Sequence, residues 1–419
     1  MFDAADLLTQ GFASLLVAVF LTKTWLLHRQ IRHVAQHRAQ VPHAFQRVVD
    51  EPTHHKAADY TLAKARLETA DTALQTALLL GWTVLGGLNA LNQWLLTWWA
   101  PGLAQQLALL VAFGTVSALL NLPLAWYRTF GVEQRFGFNR STLGQWIADG
   151  VKGTAVALAV GLPLAALVLW LMGAAGPGWW LWAWGAYMGF SMLMMWAFPA
   201  FIAPLFNTFK PLEDAPLRER VAALMVRCGF QPSGFFVMDG GRRSAHANAY
   251  FTGLGKTKRV VFYDTLLAQL SSSELEAVLA HELGHFHHQH LRKRLWAMAL
   301  ITLGAFALLG WLSGQTWFYV GLGVEPSLVG SNSALALVLF MLTLPLLGFF
   351  TTPLLAVGSR RDEYQADQFA ARHTPAADLV SALIKLYKGN ASTLTPDPMY
   401  VAFHHSHPPA SHRLARLTP

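Results

Sequence analysis

The sequence predicts a mainly α-helical integral membrane protein, with seven transmembrane helices and a water-facing α+β domain on one side of the bilayer. Three observations predict it. Hydrophobic residues make up 54% of the 419-residue chain and charged residues 13%, and a mean hydropathy of +0.35 is too apolar for an average soluble protein. Seven stretches are long and apolar enough to cross about 30 Å of hydrocarbon as helices. The basic residues crowd into the connections on one side of those stretches and avoid the other side.

The spans run approximately over 7–27, 72–100, 103–126, 153–173, 178–205, 295–313 and 333–357. The first opens with Asp3 and Asp6 and no basic residue, which suits a retained helix better than a cleaved signal peptide. The fifth opens with Trp179, Trp180, Trp182 and Trp184, as interfacial aromatic belts do. Of the 31 Lys and Arg, all but Lys23 lie in 28–68, 127–152, 206–294 and 358–419, whereas 101–102, 174–177 and 314–332 hold none. A positive cytoplasmic side then puts the N-terminus outside and the C-terminus in the cytoplasm. The short outer loops suit a bacterial inner membrane. A net charge of +8 and a pI near 9.7 follow from this topology and from contact with anionic headgroups, so no nucleic-acid partner is called for. The single cysteine, Cys228, excludes an intrachain disulfide framework and a thiolate metal site.

The expected organisation is a membrane domain over 1–205 with five spans, a water-facing region over 206–294, spans six and seven over 295–357, and a water-facing tail over 358–419. The His- and Arg-rich stretch 28–68 is expected to be a solvated extension lying along headgroups. In 206–294 the pattern gives a helix over 214–228 and a short strand over 234–239 closed by Gly240 and Gly241. A strand pair follows, 248–251 and 259–263, around Gly253-Leu-Gly255, and then a helix opened by the cap Ser271-Ser-Ser-Glu274.

That last helix holds the main motif. His281-Glu-Leu-Gly-His285 is H-E-x-x-H, and the 3.6-residue period sets its two histidines one turn apart on one face, able to grip one Zn²⁺. Glu282 is turned about 100° away, where it can hold a water at the metal without ligating it, the position of a general base. A catalytic zinc also needs a third protein ligand and an open position for water. Glu363 is the best candidate, and Asp367, one turn further on the same face, can accept the outer N–H of a liganding histidine. A solvated acidic pair bridged to Arg360 or Arg361 is the bland alternative, and the H-E-x-x-H partner tips the choice. The expected cofactor is one Zn²⁺ per chain on His281, His285 and Glu363.

With the metal polarising a scissile carbonyl and acidifying a water, Glu282 would take the water's proton and deliver it to the leaving amine. His407, in Ser406-His-Pro-Pro409, is the candidate donor to the oxyanion, with a helix-entry histidine as the equal alternative. Asn248 stands at a strand beside which a peptide could lie as an extra strand, its amide a clamp on the peptide backbone. His287, His288 and His290 are expected to form a polar helix end near headgroups, and His246 to be a loop residue. His404 and His405 could line the site, but their spacing does not select them.

Val41-Pro42, Lys56-Ala-Ala-Asp-Tyr60, Gly137-Phe-Asn139, Thr142-Leu-Gly144 and Asn248-Ala-Tyr-Phe-Thr-Gly253 precede the metal motif. Arg361-Asp-Glu-Tyr-Gln-Ala-Asp367, Ser406-His-Pro-Pro409 and Arg413-Leu414 follow it. In these motifs and their order along nearly the whole chain, the sequence resembles the type 1 CAAX prenyl proteases, which are more loosely related to the HtpX-type proteases. The resemblance implies seven helices enclosing a water-filled chamber, capped at its cytoplasmic end by a zincin-like α+β metallopeptidase domain. It implies the same ligands and the same catalytic glutamate, with Asn248 and His407 on the substrate backbone and Arg413, matching the family's terminal arginine, as a further substrate-binding residue. The family trims the last three residues of prenylated C-a-a-X proteins, yet no feature of this sequence reads a prenyl group. The expected partners are thus the bilayer and a peptide or protein substrate, a prenylated C-terminus among the candidates. A membrane quality-control protease is the alternative enzyme. A transporter or receptor with a structural metal site is the non-enzyme alternative, and it would need mid-membrane polar residues that are almost lacking.

Overall fold

The computed structural model describes residues 3–252, 257–328 and 330–417. The first half is helical: α1 (Ala4–Gln36), α2 (Glu51–Trp82), α3 (Gly87–Leu96), α4 (Leu103–Trp126), α5 (Leu143–Ala174), α6 (Trp179–Ala197) and the short α7 (Ala203–Phe206). π-helical turns over Tyr127–Glu133 and Phe198–Ile202 prolong α4 and α6. After β1 (Phe209–Pro211) come α8 (Ala215–Arg227), β2 (Gln231–Met238), β3 (Ala249–Thr252) and β4 (Thr257–Tyr263). Then follow α9 (Asp264–Leu267), α10 (Ser272–His287), α11 (His290–Leu312), α12 (Thr316–Val320), α13 (Ser333–Phe349), α14 (Thr352–His373), α15 (Ala376–Gly389), α16 (Pro398–His404) and α17 (Ala410–Leu417).

Five of these helices are long and apolar enough to cross a bilayer on their own, and two bent pairs, α2 with α3 and α13 with α14, bring the number to seven. The spans touch in a closed ring, α1 to α2 and α3, then α4, α5, α6, α11 and α13, which returns to α1. They share one apolar core that runs from Leu95, Leu109, Trp179 and Phe318 at one end to Leu26, Leu346, Phe349 and Tyr400 at the other. Away from it little is covered, since only 6% to 22% of the most apolar window of each unbroken span is buried. The ring of spans encloses a chamber.

A cap built from residues 206–294 and 358–417 closes one end of the ring, with α16 against α1. Its four-stranded sheet has the order β1-β2-β4-β3, with β2 and β4 parallel and the outer pairs antiparallel. The central β4 buries Val260, Val261 and Phe262, whereas β3 pairs on one side only and is an edge. The expected turn at Gly253-Leu-Gly255 falls on 253–256, outside the described residues.

Three expectations need correction. The second span is not one helix over 72–100. It breaks at Thr83–Gly86 by 49°, with Gly86 in the left-handed region at φ 77° and Gly323 so close to the Thr83 carbonyl that a Cβ there would overlap it. The seventh does not run straight to residue 357 either. The helix stops at Phe349 and restarts at Thr352 with Pro353 in its first turn, bent by 67°, because proline suits a helix start and cannot serve its interior. Hydropathy stays high through both breaks, and a composition window carries no direction. Finally, 28–68 is no solvated extension: it is the hairpin of α1 and α2 prolonged beyond the apolar segment. Val41, Phe45 and Val49 enter the core of the cap, and Val34, Ala58 and Leu62 pack the hairpin together.

Candidate metal centre and active site

The metal helix α10 starts on a complete capping box, in which the Ser271 hydroxyl accepts from the Glu274 N–H and the Glu274 carboxylate accepts from the Ser271 N–H. Its buried face carries Leu275, Ala277, Leu279, Ala280 and Leu283 into the core of the cap. The same helix lies closely along α14. At Gly284, inside the H-E-x-x-H motif, a Cβ would come within 3.0 Å of both the Ala366 Cα and the Phe369 Cβ. The motif's glycine therefore sets the separation of the two helices, and with it the reach of Glu363.

Across this seam His281, His285 and Glu363 converge. The His281 and His285 Nε2 atoms are 3.3 Å apart, and each stands 3.4 Å from an oxygen of Glu363. The His281 distance is to Oε2 and the His285 distance to Oε1, so two imidazole nitrogens and one carboxylate converge closely enough to be bridged by a single metal ion. Glu363 Oε2 is buried with no hydrogen-bond partner among the described residues, a cost of about 1–3 kcal/mol unless a cation satisfies it. Two nitrogens and a carboxylate with these spacings fit Zn²⁺. Burial opposes charge on His281, yet Asp367 and Glu363 hold its pKa up at about 9, while burial beside His281 sends His285 down to about 4. The cluster favours one positive charge, and a zinc ion would replace the proton.

Glu282 makes no ion pair with either histidine and sits half-buried off the ligand triangle. Burial raises its pKa, in the direction a base working near neutrality needs. Asp367 accepts from the His281 Nδ1 at 2.8 Å and from the Arg413 Nε at 2.9 Å. Despite burial these partners hold Asp367 down at about 2. His407 is 64% exposed, with its Nε2 3.3 Å from Glu363 Oε1 and its Nδ1 3.0 Å from the Ser406 hydroxyl. Arg413, Asn248, His404, His405 and His407 all line one cavity of about 900 Å³. Asn248 is exposed just ahead of the edge strand β3, its side-chain oxygen taken up by the Ala249 N–H.

One residue of this centre was placed wrongly by sequence reasoning. His290 is no polar helix end: it is 1% exposed, its Nδ1 2.9 Å from the His285 Nδ1 and its Nε2 2.9 Å from Gln365 Oε1. On a straight helix, positions 285 and 290 point about 140° apart. The chain instead turns at Gln289, in the left-handed region at φ 59°, so α11 starts afresh with His290 folded back against His285. A non-glycine residue at positive φ leaves no mark in a hydropathy pattern. His246 does lie in a loop, but it is held there, stacked on Phe138 at 4.4 Å and 3.6 Å from Glu133.

Residues 30–208 match the family description "CAAX prenyl protease N-terminal, five membrane helices", and residues 211–419 match "Peptidase family M48". The chain belongs to the CAAX prenyl proteases of peptidase family M48. It is 33% identical to CAAX prenyl protease 1 of Saccharomyces cerevisiae, covering 98% of this chain and 94% of that one. To the CAAX prenyl protease 1 homolog of Homo sapiens it is 30% identical, covering 95% and 93%. The crystal structure of S. mikatae Ste24p superposes with a TM-score of 0.89 at 31% identity, over 98% of both chains. This M48 chain is thus a multi-pass membrane metallopeptidase acting on peptide bonds. The full-length match of the fold leaves no room for the transporter or receptor alternative.

Proposed function

We propose that this M48 peptidase cleaves membrane-associated peptides, C-terminal C-a-a-X segments in particular, in the cavity beneath its cap. The observation that carries the reading is the triangle of His281, His285 and Glu363, with the half-buried Glu282 next to His281 and a cavity of about 900 Å³ whose lining reaches the triangle through His407, 3.3 Å from Glu363. A Zn²⁺ held there would polarise the scissile carbonyl and acidify a water. Glu282 takes the proton of that water and returns it to the leaving amine. The Ser406 hydroxyl, donating to His407 Nδ1, leaves an N–H on Nε2 to meet the oxyanion as it develops. The peptide lies as an added strand along the free edge of β3, with the Asn248 amide on its backbone.

Asp367 and Arg413 act through His281: Arg413 fixes the Asp367 carboxylate, which fixes the Nδ1–H tautomer of His281 and turns its Nε2 to the metal. This gives Arg413 a positioning role in place of direct substrate binding. His290 serves His285 in the same way. With Gln365 accepting from its Nε2–H, its Nδ1 is free to accept the His285 Nδ1–H, and His285 then offers its Nε2 lone pair. The charge asymmetry of the loops supports an outside N-terminus and a cytoplasmic metal site, and the short outer loops a bacterial inner membrane. The test is purified protein beside Glu282→Gln, assayed for zinc and for hydrolysis of a farnesylated peptide, its unmodified twin and a misfolded membrane protein. A preference for the farnesylated peptide supports the C-a-a-X reading. Equal cleavage of all three favours quality control instead.

A further inference from the structure

Away from the metal seam, α14 presents a second, differently built face. Taking Glu363 as the origin, Val357, Arg361, Tyr364 and Gln368 lie about 100–160° around the helix. With Arg360, Gln365 and Arg416 of α17 they line a separate pocket of about 390 Å³, inside the usual range of about 300–1,000 Å³ for small-molecule sites. Among the described residues no carboxylate lines it. The neighbouring Asp362 is turned to Arg294 and His290, and among the described residues neither Arg361 nor Arg416 has an ion-pair partner. The Arg416 guanidinium stacks 3.7 Å from the centre of the Tyr364 ring, which leaves its in-plane N–H groups available. Arg360 is spent on the Val401 and His405 carbonyls.

The depth of this pocket is fixed by its neighbours. Arg294, in the second turn of the span α11, donates to Ser359 and Asp362, and Trp296, two residues further on, is exposed as interfacial tryptophans are. Residues 359–362 of α14 therefore stand at the level where the basic residues of α11 give way to its apolar run. One turn earlier, toward the bilayer, α14 exposes Leu354, Leu355 and Val357. Paired guanidiniums at headgroup level, a hydrogen-bonding floor of glutamines and an apolar track leading to the hydrocarbon fit one ligand class. We propose that this pocket binds the phosphodiester headgroup of an anionic phospholipid, with Arg361 and Arg416 on the phosphate and an acyl chain along Val357 and Leu354, which continue the same face of α14. The pocket shares Gln365 with the metal centre, through His290, but its two guanidiniums are bonded to none of the metal triangle among the described residues, and the proposal does not depend on the proposed reaction.

The test uses the full-length protein in phosphatidylcholine nanodiscs, titrated with dioctanoyl-phosphatidylglycerol and read by native mass spectrometry. Wild type should bind it saturably and prefer it to dioctanoyl-phosphatidylcholine. The double variant Arg361→Gln/Arg416→Gln should bind about 30-fold more weakly, from two basic residues contributing roughly fivefold each, with unchanged zinc content and melting temperature. Equal affinity in this variant, or equal binding of the zwitterionic lipid, overturns the proposal. Leu354→Asn/Val357→Asn separates lipid from free anion: it should weaken the lipid and leave competition by inorganic phosphate as it was. If it leaves the lipid affinity untouched while inorganic phosphate displaces the lipid, the pocket is a simple anion site and the lipid assignment fails.

Discussion

The ring of spans and the α10–α14 seam handle polarity in opposite ways. In the ring, polar side chains are few and the helices meet only along narrow contacts, so the bilayer supplies most of the burial. In the seam His281, Glu363, Asp367 and Arg413 are all withdrawn from water within one chain of contacts. Bilayer solvation asks only that a residue be apolar, and many residues meet that demand equally well. Buried charge asks for a named partner at a set distance, because the desolvation of each ion is repaid only by that partner. Substitutions should accordingly be graded by the seam and nearly silent in the ring.

The largest effect belongs to the triangle. His281→Ala, His285→Ala or Glu363→Ala should abolish zinc retention and hydrolysis together, since two protein ligands do not close a catalytic site. Metal analysis of the purified variants checks this, and full zinc occupancy in Glu363→Ala would remove that residue from the centre. Glu282→Gln comes next and breaks the correlation. It should keep its zinc and its fold while turnover falls by about 10²–10⁴-fold, because the amide can hold a water but not take its proton. Near-normal hydrolysis by the zinc-loaded variant would end the mechanism.

Below these stand the residues that act through the ligands. Asp367→Ala and His290→Ala should each weaken zinc binding by about 10–100-fold, read by competition with a chelator. His290→Gln, which can still accept the His285 Nδ1–H, should recover part of the loss. A variant that melts normally and binds zinc as tightly as wild type would return its residue to a packing role. Gly284→Ala probes the seam itself: the added methyl must push α14 away by a few tenths of an ångström, so zinc affinity should fall even though no ligand is touched.

What the sequence disclosed follows the same division. Apolar run length and basic-loop alternation located the spans, because those are the properties the bilayer selects. The bends at Thr83–Gly86 and before Pro353 were hidden, since a helix that turns inside an apolar run keeps its composition. In the seam, H-E-x-x-H and Glu363-x-x-x-Asp367 were legible because both pairs repeat at one helical turn. His290 was not, because its role depends on the left-handed turn at Gln289, and neither was the contact of Gly284 with Ala366, which exists only once two distant helices pack. Arg413 drew notice through family resemblance, yet its bond to Asp367 could not be read from a separation of 46 residues.

The smallest effect should come at one of the polar links that tie ring and cap. Asp397 is buried, caps α16 by accepting the Met399 and Tyr400 N–H groups, and takes both Nε and Nη2 of Arg29 on α1. Asp397→Asn keeps a good cap and gives up only an ion pair whose arginine is partly exposed and can be rehydrated, so it should cost well under about 1 kcal/mol. Asp397→Ala loses the cap as well and should cost about 1–2 kcal/mol, a drop of a few degrees in melting temperature for a protein of this size. The pH dependence identifies the cause. Burial opposes ionisation of Asp397, but Arg29 and the two N–H groups hold its pKa below the ordinary value. Its contribution is therefore complete above the unfolded value near pH 4 and is lost as the pH falls through the lower folded value. The gap in melting temperature between wild type and Asp397→Ala should be constant around neutrality and shrink only below about pH 4. A gap that closes already between pH 7 and pH 5 would assign the link to a histidine and not to this carboxylate.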